Sequence, residues 1–324
     1  MSYVKPSTLY KREHKADYGR EKIQILYQDQ YLVVISKPSG LLSVPYPGSK
    51  VRTAQSVLEE ILRKQGEVNA RHKPYVVHRL DRDTSGIMMF ALTEQAQKII
   101  MDTWHIMVKE RIYHALAENP SVKASKTINE GHGVKDQKGA NATNKLLAKE
   151  GLIDLPIAQN AHNVGFVPKA DDKDKNGRAF KTVPARTHYK KLIEGPTHTL
   201  FELSLDTGKK NQIRAHLAYY GYTLCGDEEH RAKTDPFNRL CLHARTFEFV
   251  HPFTNELLKF EEAEDLEWSL LAREGEKNHK TPVWLMEKDN KKTGKENQIK
   301  LGPKPLSRKE KAHMNFIESG KKHF

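Results

Sequence analysis

The chain has 324 residues, with 54 Lys or Arg against 41 Asp or Glu and a formal charge of +13. That balance favours polyanionic partners, nucleic acid ahead of an anionic membrane. No apolar run approaches the length of a membrane span, the opening MSYVKPSTLYKREHK lacks the apolar centre of a signal peptide, and two cysteines, Cys225 and Cys241, fit a reducing, cytoplasmic setting.

Residues 1–20 read as a basic N-terminal arm. The run IQILYQDQYLVVISKPSG then predicts strand, turn at Gln28-Asp29-Gln30, and strand, followed by a Pro- and Gly-punctuated loop. Thr53 stands where an N-cap belongs, ahead of Ala54, Val57, Leu58, Ile61 and Leu62 at helical spacing, with Gly66 as the stop. In YVVHRLDRDTSGIMMFALT, Tyr75 to Thr93, two short apolar runs read as strands around a polar knot, with Asp83-Thr84-Ser85-Gly86 as turn chemistry. Thr93 is expected to cap a helix that closes in Lys109 and Arg111, and Ile112 to Ala117 to form the next strand. Residues 120–150 read as an inserted surface loop. Strands are predicted at Thr187 to Leu192 and Thr199 to Leu205, then a Gly turn and a short helix with Ile213, Leu217 and Tyr220 on its apolar face and Gly221 at its end. Leu240 to His243 and Thr246 to Val250 read as two further strands.

Order is expected to weaken after residue 265. Residues 288–324 carry +7 with few apolar side chains, so 266–324 read as a basic, largely disordered extension to a domain at 21–265. Strands outnumber helices and hairpins dominate, giving an α+β class with a largely antiparallel, mixed sheet flanked by helices.

The polar knot puts two arginines, two aspartates and a histidine at the tip of a buried strand–turn–strand, which core packing does not require. Asp81 is the candidate reactive carboxylate; the plainer reading is an Arg–Asp pair holding a tight turn. Asp81-x-Asp83 also fits a metal-dependent phosphohydrolase of the haloacid dehalogenase kind, but the α/β alternation that fold needs is missing. Cys225, His230, Cys241 and His243 follow no common zinc spacing, and the two thiols read as buried. No Walker loop and no G-x-G-x-x-G occurs. Arg214, one residue past Ile213 on a helix start that must pack, points partly inward and needs a carboxylate, for which Asp81 is the natural candidate. Tyr113 reads either as a core tyrosine or as a stacking platform for a base.

HRLDRDTSGIMMFALT at 78–93 closely resembles the signature of the RluA-type RNA pseudouridine synthases. Lys37-Pro38-Ser39-Gly40-Leu41 resembles that family's early K-P-x-G segment and Arg111-Ile112-Tyr113 its tyrosine motif. Thr207 to Arg214, running on to Gly226-Asp227 and Leu242-His243-Ala244, resembles its third motif and closing strand. The resemblance covers roughly residues 20–262. It implies isomerisation of a uridine to pseudouridine in structured rRNA or tRNA, with no cofactor or metal. No heptad and no spare apolar face is evident in the sequence, so a cytoplasmic monomer with no obligatory protein partner and no membrane is expected. By the match Asp81 is the catalytic aspartate, Tyr113 stacks on the uracil, Arg214 pairs with Asp81, Arg79 fills the gap left by the extruded nucleotide, and Leu242 forms an apolar wall. His78, Arg82, Lys209, Lys210 and Gln212 are carried over as RNA contacts. The family commonly has Arg and His where this chain has Lys209 and Asn211, and lysine keeps the charge without the bidentate fork. The arm before residue 20 is too short for the S4-like RNA-binding module of some relatives, so the basic segments are expected to add RNA grip. A non-catalytic RNA-binding protein on the same fold is the alternative.

Overall fold

The computed structural model describes residues 23–276 apart from 47, 49, 50, 121–145, 170 and 175; the basic arm, most of the insertion and most of the C-terminal extension lie outside them. The described chain forms two units, residues 23–82 with 88–102, and residues 83–87 with 103–276.

The first unit opens with strands β1 (Gln24–Gln28) and β2 (Leu32–Lys37), paired antiparallel. Asp29 makes the turn, its Oδ1 accepting from the amides of Tyr31 and Leu32 at 2.7 and 2.8 Å. Helix α1 (Ala54–Lys64) starts at Thr53 with a full capping box shared with Ser56, and Gly66 follows its end with φ +79°. Val57, Leu58 and Leu62 bury its apolar face, and Leu32 to Ile35 of β2 are fully buried. Strand β3 (Tyr75–Val76) is short and pairs antiparallel with the far end of β4 (Ser85–Ala91), Tyr75 against Ala91 and Val76 against Phe90. The polar knot is therefore an eight-residue connection, 77–84, longer than the tight turn its sequence suggests. Strand β4 gives Met88 to Ala91 to this unit and Ser85 to Ile87 to the other.

In the second unit β4 begins a mixed sheet whose order continues β12 (Leu242–Val250), β5 (Val108–Glu118), β11 (His198–Leu205), β10 (Arg186–Glu194) and β6 (Glu150–Asp154), with β13 (Leu257–Glu261) on β12. All these pairings are antiparallel except β4 with β12, where Ser85 meets His243 and Gly86 meets Ala244. A smaller sheet holds β7 (Ile157–Gln159) between β8 (Gly165–Phe166) and β9 (Thr182–Val183). The α+β class with a mostly antiparallel mixed sheet is thus the observed one.

Four local expectations change. Helix α2 (Glu94–Met107) is capped by Thr93, whose Oγ1 accepts from the Ala96 amide at 3.0 Å, but it ends at Met107, and Lys109 and Arg111 already belong to β5. Val108 and Ile112 pair onto β12 there, and sheet pairing outweighs local helix preference. Gly86 is a strand residue: at φ +110° it lets β12 approach so closely that a Cβ would stand 2.2 Å from the Ala244 carbonyl oxygen. The two strands predicted around residues 240–250 are one strand, β12, with an irregularity between Ala244 and Thr246. Finally, α4 (Leu266–Glu274) lies beyond the expected boundary at 265 and buries Trp268 and Ala272 among Leu116, Leu200, Cys225 and Cys241. Both cysteines are buried free thiols, as expected.

Candidate active site

In the first unit, residues 77–82 of the connection mix one buried position with half-buried and exposed ones. Leu80 is buried, Asp81 half-buried, and Arg79 and Arg82 exposed. Leu80 is gripped at both backbone groups by Ser43, whose Oγ donates to its carbonyl at 2.7 Å and accepts from its amide at 3.1 Å. The carbonyl of Arg82 accepts from the Gly40 amide at 2.8 Å and from Lys37 Nζ at 3.0 Å. Lys37 is only 1% exposed, and its ammonium also donates to the carbonyls of Pro38 and Leu41 at 2.9 and 2.8 Å. The residues on either side of Asp81 are therefore fixed through their backbones by the segment 37–43. His78 points back into the fold: its Nε2 accepts from the Met89 amide at 2.9 Å, which leaves the ring proton on Nδ1. A histidine expected to touch RNA thus braces β4.

In the second unit, Ser85 continues from that connection. Its Oγ lies 2.8 Å from His243 Nδ1 and accepts from Arg239, while His243 Nε2 lies 2.9 Å from the Glu262 carbonyl. Burial pushes His243 down to about 4, so the ring is neutral, donating from Nε2 and accepting the Ser85 hydroxyl at Nδ1. Tyr113 is buried on β5 with Leu203 and Ala244 as its cross-strand neighbours; Leu242 is buried on β12 opposite Ala115.

Helix α3 (Gln212–Tyr219) follows a loop in which Lys209 and Lys210 are exposed. Asn211 takes the left-handed conformation, φ 55°, and its Oδ1 accepts from the Gly165 amide at 3.1 Å, tying β8 to the helix start. Gln212, expected as an RNA contact, is buried and spends its amide internally. Its Oε1 accepts from Thr207 Oγ1 and the Lys209 amide, and its Nε2 donates to the Arg186 carbonyl and Thr187 Oγ1. Arg214 is buried, as the helix packing requires, and meets carboxylates of its own unit. Nε and Nη2 donate to Asp227 at 2.7 and 2.6 Å, and Nη2 reaches Glu229 at 2.7 Å. Burial pushes the Asp227 carboxyl up, but the bonds from Arg214 and His230 outweigh it and hold it well below the ordinary carboxylate range.

His78, Arg79, Asp81 and Arg82 thus share one connection of the first unit, while Tyr113, Lys209, Lys210, Gln212, Arg214 and Leu242 belong to the second. Sequence reasoning missed Ser43 and Asp227 as holding groups, and Lys37 as a buried donor. Lys37 had a signal, its position directly before Pro38-Ser39-Gly40 at a strand end, and Asp227 had its place in Gly226-Asp227 of the third motif; Ser43 had none. Among the described residues no group of three His, Cys, Asp or Glu side chains could hold a metal ion, and no helix is long and apolar enough to cross a membrane.

Residues 31–219 match the family described as RNA pseudouridylate synthase. The chain is 30% identical over 245 residues to the uncharacterized RNA pseudouridine synthase YlyB of Bacillus subtilis, covering 74% of this chain and 68% of that one. It is 29% identical to ribosomal large subunit pseudouridine synthase D of Nitrosomonas europaea, over 74% of this chain and 61% of the relative. It is 27% identical to tRNA pseudouridine synthase C of Vibrio parahaemolyticus, over 77% and 94%. The solved structure of human RNA pseudouridylate synthase domain containing 4 shares the fold, with TM-score 0.54 and 21% identity over 76% of this chain and 90% of that one. The chain belongs to the RNA pseudouridylate synthase family, a family of isomerases.

Proposed function

We propose that the protein isomerises a particular uridine of structured rRNA or tRNA to pseudouridine, with Asp81 as the catalytic aspartate. The observation that carries this is the treatment of Asp81: both neighbouring residues are clamped through their backbones, and Asp81 between them is half-buried. A group that must meet a substrate repeatedly in one geometry is held that way. The names of the ribosomal and transfer RNA relatives support both substrate classes.

In this reading Asp81 assists at the ribose while the bond from C1′ to N1 breaks. The uracil turns, C5 bonds to C1′, the C5 proton leaves and N1 takes up a proton, so the product is an isomer and no water is consumed. Glycoside hydrolysis, by contrast, needs a second carboxylate to handle water. Arg214 pairs with Asp81, Tyr113 stacks on the uracil, Leu242 walls the pocket, and Arg79 fills the place of the swung-out nucleotide. Arg82, Lys209 and Lys210, all exposed, contact phosphates. The protein works as a cytoplasmic monomer.

The test is tritium release from C5-labelled uridine in total RNA. The native chain is expected to release label, and Asp81→Asn to release none while still retaining RNA in a filter-binding assay. Retention without release by the native chain would leave only an RNA-binding protein. Magnesium-dependent phosphate release in its place would point to the phosphohydrolase.

A further inference from the structure

Behind Arg214 stands a carboxylate that is itself held, and the last member of that chain is His230. Its side chain is 7% exposed, with Nδ1 3.0 Å from Asp227 Oδ2 and Nε2 2.8 Å from the Gly165 carbonyl oxygen. Both neighbours can only accept. A carbonyl has no proton to give, and although burial pushes the Asp227 carboxyl up, the guanidinium of Arg214 holds it well below the ordinary carboxylate range, so it is ionised. A neutral imidazole has one N–H and one lone pair, so it would turn that lone pair toward an oxygen. Both bonds form together only when the ring carries two protons. The His230 amide closes on the same carboxylate, donating to Asp227 Oδ1 at 3.1 Å.

The acceptor on the far side is equally fixed. A Cβ at residue 165 would stand 2.4 Å from the Lys210 carbonyl oxygen, and the Gly165 amide donates to Asn211 Oδ1. The ring thus spans from Asp227 to the backbone that packs on the start of α3. Around it the charges alternate. Asp227 lies between Arg214 and His230, and Glu229 Oε2 meets the outer edge of Arg214 at 2.7 Å. Arg214 is thus paired on both sides, which is how buried charge is tolerated.

We propose that His230, as an imidazolium, is the positioning residue for Arg214. It fixes the Asp227 carboxylate, and that carboxylate fixes the plane in which the guanidinium faces the reaction. This rests on the proposal above that Arg214 pairs with Asp81. Nitrogen-15 histidine spectra of the full chain, with the His230 signals assigned by His230→Gln, should show both of its ring nitrogens protonated. A signal from an unprotonated ring nitrogen overturns the proposal without any variant needing to be active. In the tritium assay His230→Gln, which keeps one donor, should lower kcat roughly tenfold to a hundredfold. KM for RNA should stay within about twofold, since the loss is of orientation and not of RNA grip. An unchanged kcat, or a fall in kcat matched by a rise in KM and a lowered Tm, overturns it. A native chain that releases no label overturns the functional reading, and the positioning role with it.

Discussion

Compare the connection that carries Asp81 with the helix that carries Arg214. Around Asp81 the clamps from Ser43, Gly40 and Lys37 take hold of main-chain groups of Leu80 and Arg82. Around Arg214 the hydrogen bonds it donates to Asp227 and Glu229 take hold of the charged group itself. The first arrangement fixes a backbone path; the second fixes a guanidinium and neutralises it. Losing a clamp in the first region unsatisfies backbone groups, whereas losing one in the second strands a buried charge, and the second loss is the more costly.

The comparison breaks first at Asp227. Asp227→Ala should lower the unfolding free energy by about 3–5 kcal/mol in a urea titration, because the buried Arg214 loses its two-bond carboxylate partner. Because the folded carboxyl lies below its ordinary value of 3.8, its stabilisation is complete above that pH and is lost as pH falls through the folded value. Native protein should therefore show an acid-dependent loss below pH 3.8 that the variant lacks. Next comes His243, which anchors Ser85 at the far end of the Asp81 connection. Burial holds it at about 4 against an ordinary 6.5, so between those values the unfolded chain takes up a proton that the folded chain refuses. Stability should fall by on the order of 3 kcal/mol as pH drops through that window, and His243→Phe should flatten the slope. Ser43→Ala leaves the Leu80 amide and carbonyl without their hydroxyl and should cost about 2 kcal/mol, read as a lowered Tm. Should Ser43→Ala prove as costly as Asp227→Ala, the contrast between main-chain and charge clamping fails. The smallest effect belongs to Lys209→Ala with Lys210→Ala. Both side chains are exposed, so Tm should hold while the slope of log affinity for RNA against log salt shrinks by about 1 to 2.

What could be read in advance follows the range of the interactions. Thr53 and Thr93 as caps, the Asp29 turn and the hairpin ending in Leu205 are all decided by residues a few positions apart, and each is found as expected. Lys37 reads as exposed in any composition count, because only the fold supplies its three carbonyl partners. That Arg214 would be buried follows from its helix; that Asp227 would meet it does not, since a loop closing over 13 residues leaves no periodic trace. Asp81 was the natural candidate by chemistry, and its pairing with Arg214 stays a proposal. Helix α4 is more legible than the boundary at 265 allows: Trp268, Leu271 and Ala272 fall at i, i+3 and i+4 and make one apolar face.

The bond between Ser85 and His243 joins residues 158 positions apart. Contacts that distant in sequence close late in folding, and chains fold in the order they leave the ribosome. Among the described residues β12 is the last strand but one, so the end of the Asp81 connection acquires its partner only after most of the described second unit has been made. Until residue 243 exists, Ser85 lacks the ring nitrogen that anchors its hydroxyl, and the connection stays untethered at that end.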